Sequence, residues 1–226
     1  MGRRVPSLRA AIFDLDGTLV DSLPGIAAGL NQALALHGLP SRSLERVREC
    51  VGNGSRMLVQ RGIGGNPPDA LVDAVHRDFF PAYAECWPEG TCLYPGVRSM
   101  LDALHREGLP LAVCSNKPHR YTVEIMEALF DWVPWAMILG QQESLPRKPD
   151  PCTALRIASH MNQPPGEIAF IGDSLVDFET ATAAGMQPVL VTWGFGRVEE
   201  LRTATAHLAG SAPDLRKFLL APHRDT

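Results

Sequence analysis

Lysine is nearly absent from this chain: among its 21 basic residues only Lys117, Lys148 and Lys217 are lysines, and the rest are arginines. Codon bias accounts for most of that skew, and it makes a lysine inside a motif conspicuous. A basic surplus is missing too. The net charge is -4, whereas a protein living on nucleic-acid phosphates is normally basic, so no nucleic-acid partner is expected. No long apolar run occurs. The longest uncharged stretch, Ser22 to Ser41, carries Asn31, Gln32, His37, three glycines and two prolines, so no membrane span is expected. After Arg3 and Arg4 the apolar run is only Ala10 to Phe13 before Asp14 interrupts it, which is no signal peptide. The cysteines (Cys50, Cys86, Cys92, Cys114 and Cys152) are odd in number and form no CxxC pair. The histidines show no metal-ligand spacing. Both residue types read as structural or surface, with Cys114 in the core. No internal repeat or low-complexity tract interrupts the chain. These absences leave a reduced, soluble, cytoplasmic protein.

What is present fits one ordinary domain plus an insertion. The chain has 226 residues, 45% hydrophobic and 20% charged, which excludes a disordered segment or a coiled coil. Five short apolar runs alternate with helical periodicity, the pattern of a parallel α/β sheet buried on both faces. They are Ala10–Phe13, Leu109–Cys114, Ala136–Leu139, Ile168–Ile171 and Val189–Thr192. Between them, Val97, Met100, Leu101 and Leu104 form one helical stripe stopped by Gly108, and Val123, Met126 and Leu129 form another. Asp150-Pro151 reads as an N-cap followed by proline at the first helical position. Asp177 to Ala184 reads as a short helix closed by Gly185.

The interval from Phe13 to Leu109 far exceeds the ~30 residues of a complete βαβ unit. Three stripes fill it: Leu23, Ile26, Leu30, Leu34 and His37; then Leu44, Val47 and Val51; then Leu71, Val75, Phe79, Tyr83 and Trp87, with Pro81 expected to kink the last. Residues 21–91 are therefore expected to form a small all-helical domain, inserted into an α/β core of residues 1–20 and 92–226.

The chemistry gathers at the ends of the apolar runs. Asp14-Leu15-Asp16-Gly17-Thr18 follows the first, where open α/β sheets bind ligands. Alternation puts Asp14 and Asp16 on one side of an extended chain. A calcium loop would need a glycine at its sixth position and a closing glutamate, and neither is present. Gly172-Asp173-Ser174-Leu175-Val176-Asp177 follows the fourth run, with its two aspartates one helical turn apart. Taken alone, Asp173 would be read as a helix cap. Ser115-Asn116 ends the second run, and Lys148 precedes Pro149, which disfavours a helical backbone at the lysine.

These four signals in this order, with an insertion after the first, resemble the haloacid dehalogenase superfamily of phosphotransferases over essentially the whole chain. The resemblance implies a Rossmann-like core and a C1-type helical cap. It makes Asp14 the nucleophile that forms an aspartyl-phosphate, and Asp16 the general acid and base. It assigns the Asp14 and Asp173 carboxylates and the Asp16 carbonyl to a metal, with Asp177 in support. Ser115 and Lys148 would hold the phosphoryl oxygens, with Asn116 beside them. Like-charge pairs at ~4 Å cost about 4 kcal/mol even at an effective dielectric of ~20, so a cation is required, and oxygen-only ligands suit Mg²⁺.

Dehalogenases lack the second aspartate, which is present here. Phosphonoacetaldehyde hydrolases use a cap lysine, and residues 21–91 contain none. Asp14 to Ser22, Val51-Gly52-Asn53-Gly54, Leu93 to Val97 and Ser115-Asn116-Lys117-Pro118 look like the phosphoglycolate phosphatase subfamily. By that resemblance Gly52, Asn53 and Gly54 form a cap loop facing a small phosphorylated metabolite, and Arg56 or Arg61 would meet its carboxylate, with ordinary helix surface the stronger reading for Arg61. Gln141-Gln142-Glu143 and Trp193-Gly194-Phe195-Gly196 depart from the subfamily pattern, which keeps two alternatives open: a sugar-phosphate phosphatase, such as one acting on N-acetylmuramate 6-phosphate, and a phosphosugar mutase. A monomer or a homodimer is expected.

Overall fold

All five apolar runs are strands in the computed structural model, which describes residues 8–204 and 206–221. The readings of Arg3, Arg4 and His223 fall outside those residues. With labels in chain order, the strands are β1 (Ala10–Phe13), β4 (Leu111–Pro118), β5 (Met137–Gln141), β6 (Ile168–Gly172) and β7 (Gln187–Val191). A sixth, β8 (His207–Ala209), was not expected: three residues opening on a histidine carry too little apolar signal. The sheet is parallel throughout, in the order β5-β4-β1-β6-β7-β8.

Strand alternation feeds two core layers. Ala11 and Phe13 pack with α5 (Val97–Arg106), α6 (His119–Leu129) and α10 (Ala212–Leu219). Ala10 and Ile12 pack on the other face with α7 (Cys152–His160) and α8 (Leu175–Ala183). Each fully buried large side chain here contributes about 2 kcal/mol. The expected stripe of α6 is rotated: Ile125 and Met126 are buried with Tyr121, while Val123 and Leu129 are only half-buried. A short helix, α9 (Val198–Leu201), precedes β8.

The insertion departs and returns through two strands of two residues each. β2 (Val20–Asp21) and β3 (Cys92–Leu93) pair antiparallel, and between them lie α1 (Leu23–Leu36), α2 (Leu44–Arg48), α3 (Ser55–Ile63) and α4 (Asp69–Gly90). These helices enclose their own buried cluster, including Leu30, Leu34, Val59, Val75 and Phe79. Gly29 lets α1 lie against the backbone of Tyr83 in α4. The helix α3 was not among the expected stripes, because its glycine-rich flanks read as loop. No helix of the described residues is long and apolar enough to cross a membrane.

Two capping expectations shift by one residue. Pro151 is the N-cap of α7, and Asp150 accepts a hydrogen bond from the Cys152 N–H at 2.9 Å instead. Ser174, not Asp173, caps α8, in a reciprocal capping box with Asp177. That frees the Asp173 carboxylate from capping duty.

Candidate active site

Numbered along the core, the strand order runs 3-2-1-4-5-6, so the chain changes direction between β1 and β6. Ligands of such sheets bind outside the carboxyl ends of the strands at that switch. Asp14 leaves β1 there and Asp173 leaves β6. Ser115, Asn116 and Lys117 lie near the carboxyl end of β4, Lys148 follows β5, and Asp177 sits in the first turn of α8. All of these except Asp177 line one cleft of ≈160 Å³, room for on the order of ten water-sized places.

The floor of the cleft concentrates charge. Lys148 Nζ lies 3.0 Å from Asp14 Oδ1 and 2.7 Å from Asp177 Oδ1. The other Asp177 oxygen accepts from the Ser174 hydroxyl at 2.6 Å and from its N–H at 3.1 Å. Asp173 Oδ2 accepts from the backbone N–H groups of Phe195 (2.6 Å) and Gly196 (3.3 Å). The departure at residues 193–196 therefore serves this carboxylate through the main chain. Glycine is required beside it: Gly17 has φ +83°, and a Cβ there would collide with the Asp173 carboxylate.

Oxygens of Asp14, Asp173 and Asp177, all buried, lie within 4.8 Å of one another, an arrangement that could hold a metal ion. Burial, followed by repulsion from Asp177 and Asp14, pushes the Asp173 carboxyl up to about 8. Burial likewise raises Asp14 to about 6 although Lys148 opposes the shift. Burial works against the Lys148 ammonium, yet Asp14 and Asp177 together outweigh it and hold its pKa above the ordinary value. Three carboxylates facing one ammonium leave a net negative nest of oxygen donors, which fits a hard divalent cation.

Asp16 is held apart from that cluster. Its side chain accepts from the Ser22 hydroxyl at 2.6 Å and from Lys117 Nζ at 3.0 and 3.2 Å. Lys117, part of a quoted motif but given no role from the sequence, is thus a buried member of the site. Its one advance signal was the scarcity of lysine. Asn116 is spent on the backbone of Lys148, accepting from its N–H at 2.8 Å and donating to its carbonyl at 3.1 Å. Its amide also reaches the Gly52 carbonyl at 3.4 Å, and Asn116 lines the cleft beside Ser115 and Lys148. Ser115 is buried on the floor, and its hydroxyl accepts from the Lys117 N–H at 3.3 Å.

The roof comes from the insertion and is mostly apolar. Ile26, Leu58, Phe79, Phe80 and Tyr83 line it, with Gly52 and Gly54 at one edge and Arg48 exposed at the rim. Tyr121 reaches up from α6, donates to the Phe80 carbonyl at 2.8 Å and stacks on the Phe80 ring. The aromatics that read as helix stripe are half core and half cleft wall. Asn53 does not line the cleft; its side chain accepts from Arg61 at 2.8 Å, and Arg61 also reaches the Cys50 carbonyl. Arg56 is turned away altogether, paired with Asp69 at 2.8 Å and Asp73 at 2.9 Å on the outer face of α4. Two carboxylates one turn apart on a neighbouring helix attract it more strongly than an open cleft does.

Residues 11–191 match the family model of haloacid dehalogenase-like hydrolases. The chain is 36% identical over 221 residues to the phosphoglycolate phosphatase of Pseudomonas putida, covering 93% of this chain and 78% of that protein. It is 34% identical over 239 residues to the phosphoglycolate phosphatase of Escherichia coli K12, covering 96% and 95%. Among solved structures, a predicted phosphoglycolate phosphatase from Haemophilus somnus 129pt superposes with a TM-score of 0.86 at 30% identity, covering 93% of this chain and 97% of that one.

Proposed function

This chain belongs to the haloacid dehalogenase-like hydrolases, and from that premise we propose that it is a Mg²⁺-dependent phosphatase converting 2-phosphoglycolate to glycolate and phosphate. The observation that carries the reading is the separation of two carboxylates of one motif. Asp14 lies in a buried cluster with Asp173, Asp177 and Lys148, while Asp16 stands outside it on Ser22 and Lys117. That separation supports a nucleophile's role for Asp14 and a proton carrier's for Asp16.

In the first half-reaction an Asp14 oxygen attacks phosphorus and the ester bond breaks. Asp16 delivers a proton to the departing alcohol oxygen. In the second, Asp16 takes a proton from water as that water attacks the aspartyl-phosphate, releasing phosphate and restoring Asp14. Lys148 and Ser115 hold the phosphoryl oxygens, and Asn116 fixes the Lys148 main chain. A divalent cation on the Asp14 and Asp173 carboxylates and the Asp16 carbonyl, with Asp177 in support, would offset the charge gathered there. The insertion acts as a cap over residues 21–91, and its roof screens the leaving group.

The test is phosphate release from 2-phosphoglycolate, N-acetylmuramate 6-phosphate and glucose phosphates, with Mg²⁺ and with a chelator. Release from 2-phosphoglycolate above the others, abolished by the chelator, is expected. Faster release from a sugar phosphate would reassign the substrate, and an isomerised sugar phosphate without release would make the protein a mutase.

A further inference from the structure

One buried cation of the cleft has a single carboxylate partner, Asp16, with the Tyr83 side chain beside it. Lys148 faces two carboxylates, but Lys117, only 8% exposed, faces one. An ammonium carries three donors, and two of them fall on Asp16 Oδ1 and Oδ2. The ammonium also lies 4.6 Å from the centre of the Tyr83 ring. The Tyr83 hydroxyl is buried against the same ammonium and the Thr91 hydroxyl, outside good hydrogen-bond geometry with either. A buried phenol without an acceptor is costly, and a ligand oxygen would relieve it. Burial raises the Tyr83 pKa, so this group stays a donor. Lys117 and Tyr83 both line the cleft, amid apolar neighbours such as Ile26 and Phe79.

We propose that Lys117, with the Tyr83 hydroxyl beside it, is the specificity-determining group of this cleft and takes the carboxylate of a phosphorylated 2-hydroxy acid. This inference rests on the phosphatase reading of the same site and deepens it. Asp16 must approach the ester oxygen to within ~3 Å to give it a proton. In a phosphorylated 2-hydroxy acid one carbon separates that oxygen from the carboxylate, so the two lie about 3 Å apart. Lys117 stands 3.0 Å from Asp16, and a carboxylate so close to the ester oxygen falls within its reach. A leaving group of sugar size places its polar groups farther on, against the aromatic roof. The arginines that the sequence offered for this task are engaged elsewhere, Arg56 on α4 and Arg61 on the Asn53 loop.

The experiment measures kcat and KM for 2-phosphoglycolate and for 2-hydroxyethyl phosphate, an ester of the same length without the carboxylate. It uses the full chain with Mg²⁺, as wild type, Lys117→Met, Lys117→Arg and Tyr83→Phe. Lys117→Met is expected to lower kcat/KM for 2-phosphoglycolate about 100-fold more than for 2-hydroxyethyl phosphate, mainly through KM. Tyr83→Phe should reduce the same ratio about fivefold, and Lys117→Arg should retain part of it. Any loss from disturbing Asp16 is common to both esters and cancels in the ratio. Should Lys117→Met fail to fold, the Lys117→Arg and Tyr83→Phe ratios decide. Equal losses on both esters would overturn the proposal and leave Lys117 as a positioning residue for Asp16. A selective loss from Arg48→Met, with none from Lys117→Met, would move recognition to the rim and overturn it as well. Wild-type protein that cleaves both esters equally defeats the carboxylate inference while the phosphatase reading stands. Wild-type protein that releases phosphate from neither ester, nor from p-nitrophenyl phosphate, defeats the phosphatase reading and this inference with it.

Discussion

The floor and the roof of the cleft solve different problems with different materials. The floor, at the carboxyl edge of the sheet, gathers Asp14, Asp173, Asp177 and Lys148 from three separate segments, and each of these side chains has a partner. The roof, built by α1, α3 and α4, offers mainly hydrocarbon and aromatic faces, with the buried Tyr83 hydroxyl held against Lys117 and Thr91 without a well-aligned hydrogen bond. Charge held rigidly on strand ends suits chemistry that needs fixed geometry, because the backbone there has little freedom. An apolar wall on helices joined to the core by two short strands suits selection by shape and by a few polar contacts. The difference teaches that charge is gathered on the core side of the cleft and shape on the helical side, with Lys117 and Tyr83 meeting where the two join.

That division can be broken by substitution, beginning with the floor. Asp14→Asn removes the proposed nucleophile and is expected to lower kcat by on the order of 10⁴-fold or more while leaving the circular dichroism spectrum unchanged. Full turnover by that variant, measured as phosphate release, would place the chemistry elsewhere. Next in size is Lys148→Met. It strands Asp14 and Asp177 without their shared ammonium, so kcat should fall by roughly 10²–10³-fold. The melting temperature should fall too, since breaking a buried pair from one side is costly, about 3–5 kcal/mol. Added Mg²⁺ should restore part of the melting temperature and little of the rate.

The third expectation concerns pH and metal together. Asp14 and Asp173 hold their protons up to about 6 and about 8, against an ordinary 3.8. Between those limits the cation-free folded protein binds more protons than the unfolded chain. Its stability is therefore greatest below 3.8 as far as these groups decide it, and is lost as pH rises through the folded values. A divalent cation binds the ionised form and reverses the trend. Thermal melts should show Mg²⁺ adding little at pH 5 and several degrees at pH 8; a metal effect larger at pH 5 would contradict the assigned cluster. The smallest effect belongs to the roof's outer side. Arg56→Ala should change kcat/KM by less than about twofold, because exposed ion pairs of this kind contribute little. A tenfold rise in KM for 2-phosphoglycolate would put Arg56 back in the cleft.

Legibility differs between the halves for a physical reason. Strands buried on both faces must be apolar throughout, so β1, β4, β5, β6 and β7 were readable, and the polar residues that end them stood out. Asp14 and Asp173 stood out that way, and Lys148 by its loop position before Pro149. On the roof the same side chains do two jobs: Phe79 and Tyr83 obey the periodicity of a helix stripe whether they face core or ligand. Periodicity reports that a residue is sheltered from water, not what shelters it. The destination of Arg56 was unreadable for a related reason, since its partners Asp69 and Asp73 lie on another helix.

By itself, then, the sequence determined the alternation of strands and helices, the inserted helical segment and the carboxylates at strand ends, because each follows from local chain chemistry. The tertiary structure alone decided which charges meet. Lys117 reaches Asp16 across 101 positions of chain, Asn116 braces Lys148 across 32, and Trp193 bonds to the Thr18 carbonyl across 175. Coulombic and hydrogen-bond contacts depend on distance in space, and only the closed sheet brings those positions within 3 to 4 Å.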